Sequence, residues 1–211
     1  MRDRTLVLPA DDISSIVLAA RWLQDGRAIA LPTDTVYGLA AHAFLPRGIR
    51  ALFRIKGRDP QKAIPILLAR IDQVTDVAID VPEVAWKLAR RFWPGPITIV
   101  LPKATHISDK LTGGAPSVAL RVPDHPLTAR LVDALGAPLA ATSANPSGQV
   151  EATTAEGVRA ALGNRVGLIL DGGPCRVRVP STVVDCTARS PLILRRGALV
   201  AQVEAFLAEL Q

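Results

Sequence analysis

The residues best suited to chemistry here are cations and small hydroxyls placed where apolar runs stop. Lys56-Gly57-Arg58, with Lys62 close behind, gathers three cations around a glycine that can turn the chain and converge charge on one anion. A solvated helix end would carry the same residues. Pro32-Thr33-Asp34-Thr35-Val36-Tyr37-Gly38-Leu39 follows a short apolar run, and its hydroxyls and phenol could bind a small polar ligand or close a capped turn. Thr142-Ser143-Ala144-Asn145-Pro146-Ser147-Gly148 suits phosphate or base contacts from a loop, and suits an ordinary turn equally well. A fourth set joins Ser117 and Arg121, on one predicted strand, with Ser181-Thr182-Val183-Val184-Asp185 and Arg195-Arg196-Gly197.

Other chemistries lack their signatures. The chain has no G-x-x-x-x-G-K-[ST], no G-x-G-x-x-G, no H-E-x-x-H and no G-x-S-x-G. Its three histidines, His42, His106 and His125, read as surface or capping residues. The two cysteines, Cys175 and Cys186, form no C-x-x-C pair and read as inert thiols. A net charge of +6, with arginine far outnumbering lysine, favours phosphate-bearing partners, because the guanidinium fork matches phosphate in a bidentate way. No run approaches the length of a membrane span and no secretory signal is present, so a soluble, cytoplasmic protein is expected.

The elements that must position these residues follow from the apolar pattern. Aromatic residues make up only 4% of the chain, so its core must be built from Ala, Val, Leu and Ile, which favours interleaved helices and strands. Helices are expected from Asp11 or Asp12 to Gln24, after Pro46 to Lys56, from Pro82 to Phe92, from Pro126 to Leu135, from Thr154 to Leu162 and from Val203 to Leu210. Strands are expected at Ala28 to Leu31, Ile64 to Leu68, Ile97 to Leu101, Val118 to Val122, Leu139 to Thr142, Val166 to Leu170, Thr182 to Asp185 and Leu192 to Leu194. Several neighbouring strands are joined too briefly for crossover helices, so the α/β sheet should be mixed. No repeat or linker divides residues 1–211, which read as one domain.

In combination the polar clusters resemble the YrdC-like threonylcarbamoyl-AMP synthases. The matching pieces run in family order: Pro-Thr-Asp-Thr-Val-Tyr-Gly-Leu at 32–39, Lys56 and Arg58, Pro94-Gly95-Pro96 with Thr98, and Ser143 with Asn145. They continue through Ser147-Gly148, Ser181-Thr182-Val183 and Leu194-Arg195. The resemblance implies a twisted mixed sheet with flanking helices around a concave electropositive cavity. It implies that ATP, L-threonine and bicarbonate or CO2 become threonylcarbamoyl-AMP and pyrophosphate, with Mg²⁺ assisting and a downstream tRNA-modifying transferase accepting the product.

By the same resemblance, Lys56 and Arg58 serve catalysis, and Lys56, Arg58, Lys62, Ser117, Ser143, Asn145 and Arg195 hold ATP. Thr35, Tyr37, Arg121, Ala141 and Ser181 map to threonine. The chain departs from the pattern at Leu67, where some members carry a histidine, and at Glu151, where others carry a small hydroxyl residue. It ends soon after Arg195, which implies a short member without the extra C-terminal domain of longer relatives. Two other functions stand beside it: the basic charge permits a module that binds double-stranded RNA or tRNA weakly without catalysis, and the resemblance also covers a paralogue that keeps the cavity and acts on another carbamoyl acceptor.

Overall fold

The computed structural model describes residues 5–210. Ten strands form one sheet: β1 (Leu6–Pro9), β2 (Ile29–Leu31), β3 (Gly38–His42), β4 (Ile66–Leu67), β5 (Ile97–Pro102), β6 (Ser117–Arg121), β7 (Leu139–Ser143), β8 (Leu168–Asp171), β9 (Thr182–Asp185) and β10 (Leu192–Arg195). Their spatial order is β1-β8-β2-β3-β7-β4-β6-β5-β9-β10. The sheet is mixed, as expected. β8 runs parallel to both β1 and β2, β4 to β6 and β5 to β9, and the remaining pairs are antiparallel.

Seven α-helices accompany the sheet among the described residues: α1 (Ile13–Gln24), α2 (Pro46–Lys56), α3 (Glu83–Phe92), α4 (Asp109–Thr112), α5 (Pro126–Leu135), α6 (Ala155–Leu162) and α7 (Val200–Ala208). Their starts follow local chemistry. Asp12, rather than Asp11, caps α1 by accepting from the Ser14 amide at 2.9 Å, and Thr154 caps α6 by accepting from the Gly157 amide at 3.0 Å. Pro46 and Pro126 occupy the first turns of α2 and α5, whereas Pro82 lies one residue ahead of α3 as its cap. Gly57 ends α2 in the left-handed conformation, φ 63°, and this turn carries the chain from Lys56 to Arg58.

Alternation along the strands divides the core in two. Leu39, Ile66, Ala140 and Ile169 pack on one face, against residues of α2, α3, α6 and α7. Their neighbours Ala40, Leu67, Leu139 and Leu168 pack on the other, against α1 and α5. β3 was not expected as a strand, because Gly38-Leu39-Ala40-Ala41 lacks the β-branched residues that mark one. Its ladders with β2 and β7 decide the conformation. β1 was not among the expected strands either, and parallel pairing with β8 makes it an edge strand.

Several expectations shift at their ends, β8 among them, which begins at Leu168 rather than Val166. β4 keeps only Ile66 and Leu67 of the predicted 64–68 strand, since the Ile64 amide donates to the Leu111 carbonyl, outside the sheet. α7 begins at Val200, three residues before the expected 203. Two histidines stabilise turns: His42 accepts from the Phe44 amide and His125 from the Leu127 amide. Both cysteines are buried and free, and burial raises both thiols, Cys186 to about 12. No helix among the described residues is long and apolar enough to cross a membrane.

The segment between β10 and α7 presses closely on the start of β9. A Cβ at Gly197 would lie 2.3 Å from the Pro180 carbonyl oxygen and 2.6 Å from that of Ser181. Gly197→Ala should therefore displace Ser181 and cost about 1–3 kcal/mol in denaturant unfolding, the usual range for overpacking. An unchanged midpoint would show that this close approach is not required.

Candidate active site

The polar clusters lie at strand ends that the sheet order brings together. The segment after β2, the end of α2, the ends of β6 and β7, the start of β9 and the end of β10 surround a cavity of about 540 Å³. Ten of the twelve sequence-selected residues line it: Lys56, Arg58, Lys62, Ser143, Asn145, Arg195, Thr35, Arg121, Ala141 and Ser181.

Ser117 and Tyr37 do not line it. Ser117 shares a face of β6 with Ala119 and Arg121, both of which do, but it stands at the outer end of the strand opposite Pro102. Tyr37 was expected near the amino acid. Its neighbours Val36 and Gly38 line the cavity, while its own side chain packs in the core with Leu39 and Ile66. There its hydroxyl donates to the Gly173 carbonyl at 2.9 Å, lies 3.3 Å from Asp171 Oδ1 and accepts from the Gly172 amide. It is fully buried, and that burial holds the phenol well above its usual range.

Three networks organise the lining. In the first, Lys56 Nζ donates to the Ser143 carbonyl at 2.7 Å and to Ser143 Oγ, the Asn145 carbonyl and Asn145 Oδ1 at 3.1, 3.0 and 2.9 Å. The Ser147 amide donates to the Lys56 carbonyl, and Asn145 Nδ2 donates to the carbonyls of Pro146 and Gln149. Among the described residues Lys56 thus holds the 143–149 loop with neutral acceptors only, and its charge is uncompensated by any contacting carboxylate.

The second network centres on Arg121, which is 6% exposed. Its Nε donates to the Gly95 carbonyl at 2.9 Å, Nη1 to Thr35 Oγ1 at 2.9 Å and Nη2 to Asp34 Oδ1 at 2.5 Å. One N–H remains on each terminal nitrogen, so the fork can still receive a small anion. In the third network, Arg195 donates to the Ser181 carbonyl at 3.0 Å and to Ser181 Oγ at 2.9 Å, while Thr98 Oγ1 lies 2.8 Å from the same hydroxyl. Arg58 folds back onto the carbonyls of Lys62 and Ala63 and keeps further N–H groups free.

The sequence reading left Asp34 and Thr98 without roles, although both stand inside the quoted motifs. Neither could be assigned from chain position, since each acts on a residue more than eighty positions away. Leu67 and Glu151, the two departures, both line the cavity. Leu67 joins Ala119, Ala141 and Val183 in an apolar part of the wall.

Lining charge is unbalanced: Lys56, Arg58, Lys62, Arg121 and Arg195 face one carboxylate, Glu151, among the described residues. Burial lowers the Lys56 ammonium to about 8, the Arg58 charge adds to this, and Glu151 opposes it. Burial also lowers the guanidinium groups of Arg58 and Arg195. For Arg121 burial is again the largest influence, with Asp34 pulling in the opposite direction. Walls with five cations and one carboxylate among the described residues suit an anionic ligand.

Removing Asp34 would leave Arg121 buried without its counter-charge. Asp34→Ala should lower the unfolding free energy by about 3–5 kcal/mol, the usual cost of breaking a buried pair from one side. A loss below about 1 kcal/mol, the scale of an exposed pair, would show that Arg121 does not depend on it. Lys56 predicts a pH dependence. Below pH 8 it is protonated in the folded and unfolded chain alike, and burial of the ammonium opposes folding. Between about 8 and the ordinary 10.5 the unfolded chain keeps a proton that the folded chain releases, so this group adds stability as pH rises. Denaturant unfolding across that window should show the rise, and Lys56→Met should flatten it.

Comparison with known proteins agrees with this arrangement. The Sua5/YciO/YrdC family, described as telomere recombination, matches residues 21–197. The threonylcarbamoyl-AMP synthase of Pyrococcus abyssi is 39% identical over 197 residues, covering 93% of this chain and 58% of that protein. The enzyme of the same name from Bacillus subtilis is 39% identical over 208 residues, covering 96% of this chain and 60% of the relative. The chain therefore spans less than two thirds of the length of these relatives. A crystal structure of P. abyssi Sua5 complexed with L-threonine superimposes with a TM-score of 0.91 at 38% identity, over 95% of this chain and 60% of that one. With the motif residues converging on one cavity and the match spanning most of its length, the chain belongs to the Sua5/YciO/YrdC family.

Proposed function

We propose that this chain is a threonylcarbamoyl-AMP synthase, joining L-threonine, bicarbonate or CO2 and ATP into threonylcarbamoyl-AMP and pyrophosphate. The observation that carries this reading is the convergence of Arg121, Thr35 and Ser181 with Lys56, Arg58 and Arg195 on one cavity. The names of the relatives and the threonine complex of P. abyssi Sua5 support it.

The threonine carboxylate pairs with the free N–H groups of Arg121, and the hydroxyls of Thr35 and Ser181 orient its polar groups. The amine nitrogen forms a bond to the carbon of CO2 and loses a proton, or to that of bicarbonate with loss of water, and a carbamate results. An oxygen of the resulting carbamate forms a bond to the α-phosphorus of ATP as the bond to pyrophosphate breaks, and the electron pair leaves with pyrophosphate. No protein nucleophile is needed. The protein contributes alignment and fixed positive charge: Arg58, Lys62 and Arg195 face the phosphates, while Lys56 holds Ser143 and Asn145 toward the nucleotide.

The apolar wall at Leu67, Ala119, Ala141 and Val183 keeps water from the carbamate and the mixed anhydride product. No cluster of three metal-ligating side chains occurs among the described residues, so the donor set fits a Mg²⁺ that arrives with the triphosphate, with Glu151 as the lining carboxylate able to face it. Bound in that way, Mg²⁺ would neutralise charge on the leaving pyrophosphate. The product would pass to a downstream transferase that modifies tRNA.

Pyrophosphate should be released only when ATP, threonine and bicarbonate are all present. Release without threonine would overturn the reading. In calorimetry, Arg58→Ala should weaken ATP by tenfold or more, the scale of a charge-assisted hydrogen bond, with threonine affinity kept. Arg121→Lys, which can keep the charge beside Asp34 but loses the planar fork, should weaken threonine with ATP affinity kept.

A further inference from the structure

Glu151 is the lining group whose charge opposes the ligand that the rest of the wall attracts. Its place in the cavity is set from both sides. Ahead of it the Gln149 carbonyl accepts from Asn145 Nδ2 at 2.6 Å, and behind it the Ala152 carbonyl accepts from the Tyr37 amide at 2.8 Å. Between these anchors Gln149 and Glu151 face inward while Val150 is 90% exposed, so the backbone itself turns the carboxylate to the cavity. Glu151 forms no ion pair among the described residues, although Lys56 and Arg195 line the same cavity. Its charge nevertheless acts on both, offsetting part of the effect of burial on each.

A fixed carboxylate facing a triphosphate repels it. The same carboxylate beside a divalent cation attracts it, and Mg²⁺ is commonly held by one or two carboxylates together with substrate phosphates. Glu151 thus distinguishes two forms of one nucleotide. We propose that Glu151 meets the divalent cation that travels with the nucleoside triphosphate, directly or through one of its waters, so that the cavity accepts the metal-bound triphosphate and rejects the free one. This rests on the proposed function, because it takes the anionic ligand to be a triphosphate. Lys56, Arg58 and Arg195 supply attraction for either form, and Glu151 supplies the discrimination.

The test is calorimetric titration at constant ionic strength with ATP in chelator and ATP with Mg²⁺, on the wild-type chain and on Glu151→Gln. The wild type should bind Mg-ATP about tenfold or more tightly than free ATP, the effect of one unscreened charge across several ångströms in a partly polar site. Glu151→Gln should bind free ATP about tenfold more tightly than the wild type does and lose most of the preference for Mg-ATP. Glu151→Ser, which also removes the charge, should behave alike. An equal Mg²⁺ preference in wild type and both variants would overturn the inference and leave the proposed function standing. That outcome would also follow if Glu151 only accepted hydrogen bonds from the nucleoside. Failure of the wild type to bind ATP with or without Mg²⁺ would overturn the proposed function and this inference together.

Discussion

Arg121 is a cation buried inside a sheet, and much of the site depends on how that charge is accommodated. Its guanidinium bonds to the Gly95 carbonyl before β5, to Thr35 Oγ1 after β2 and to the Asp34 carboxylate. The backbone on either side is tied in as well, since the Leu68 amide donates to the Arg121 carbonyl and the Gly95 amide to that of Val122. One side chain therefore sets the relation between segments that are remote in sequence. A charge so buried requires partners of good geometry, and satisfying it fixes the walls of the cavity around the remaining N–H groups.

The other lining cations follow a different rule. Lys56 is bound by carbonyl, amide and hydroxyl oxygens, and Arg195 by the carbonyl and hydroxyl of Ser181, so their donors are held without their charges being cancelled. Neutral acceptors compensate for desolvation only in part, and burial accordingly lowers both groups. A bound anion would relieve these charges, so the incomplete compensation that lowers both groups is also what would favour an anionic ligand. Thr98 extends the arrangement, since its hydroxyl contacts the Ser181 hydroxyl that Arg195 also engages.

Some expectations failed for local reasons that only the sheet could supply. β3 is rich in glycine and alanine, and nothing in its composition distinguishes it from a loop; its ladders with β2 and β7 make it a strand near the middle of the sheet. Just ahead of it, the Tyr37 side chain leaves the cavity for the core and for Asp171, Gly172 and Gly173, although the residue lies within the motif that otherwise lines the cavity. Ser117 fails by a smaller margin: it has the right face of β6 and the wrong end. β4 shrinks at its start because the Ile64 amide bonds to the Leu111 carbonyl, outside the sheet.

By itself the sequence determined where most helices and strands lie, because periodicity, Pro46, Pro126 and the caps Asp12 and Thr154 act within a few residues of one another. It also determined which polar clusters carry the family pattern, and so the kind of ligand to expect. Only the tertiary structure decided which charges are paired and which are left for a ligand. Asp34 reaches Arg121 across 87 positions, Lys56 reaches Ser143 across 87 and Thr98 reaches Ser181 across 83. Partners at such separations meet only through the order in which strands pair, and the free energy of pairing depends on the burial that this order creates.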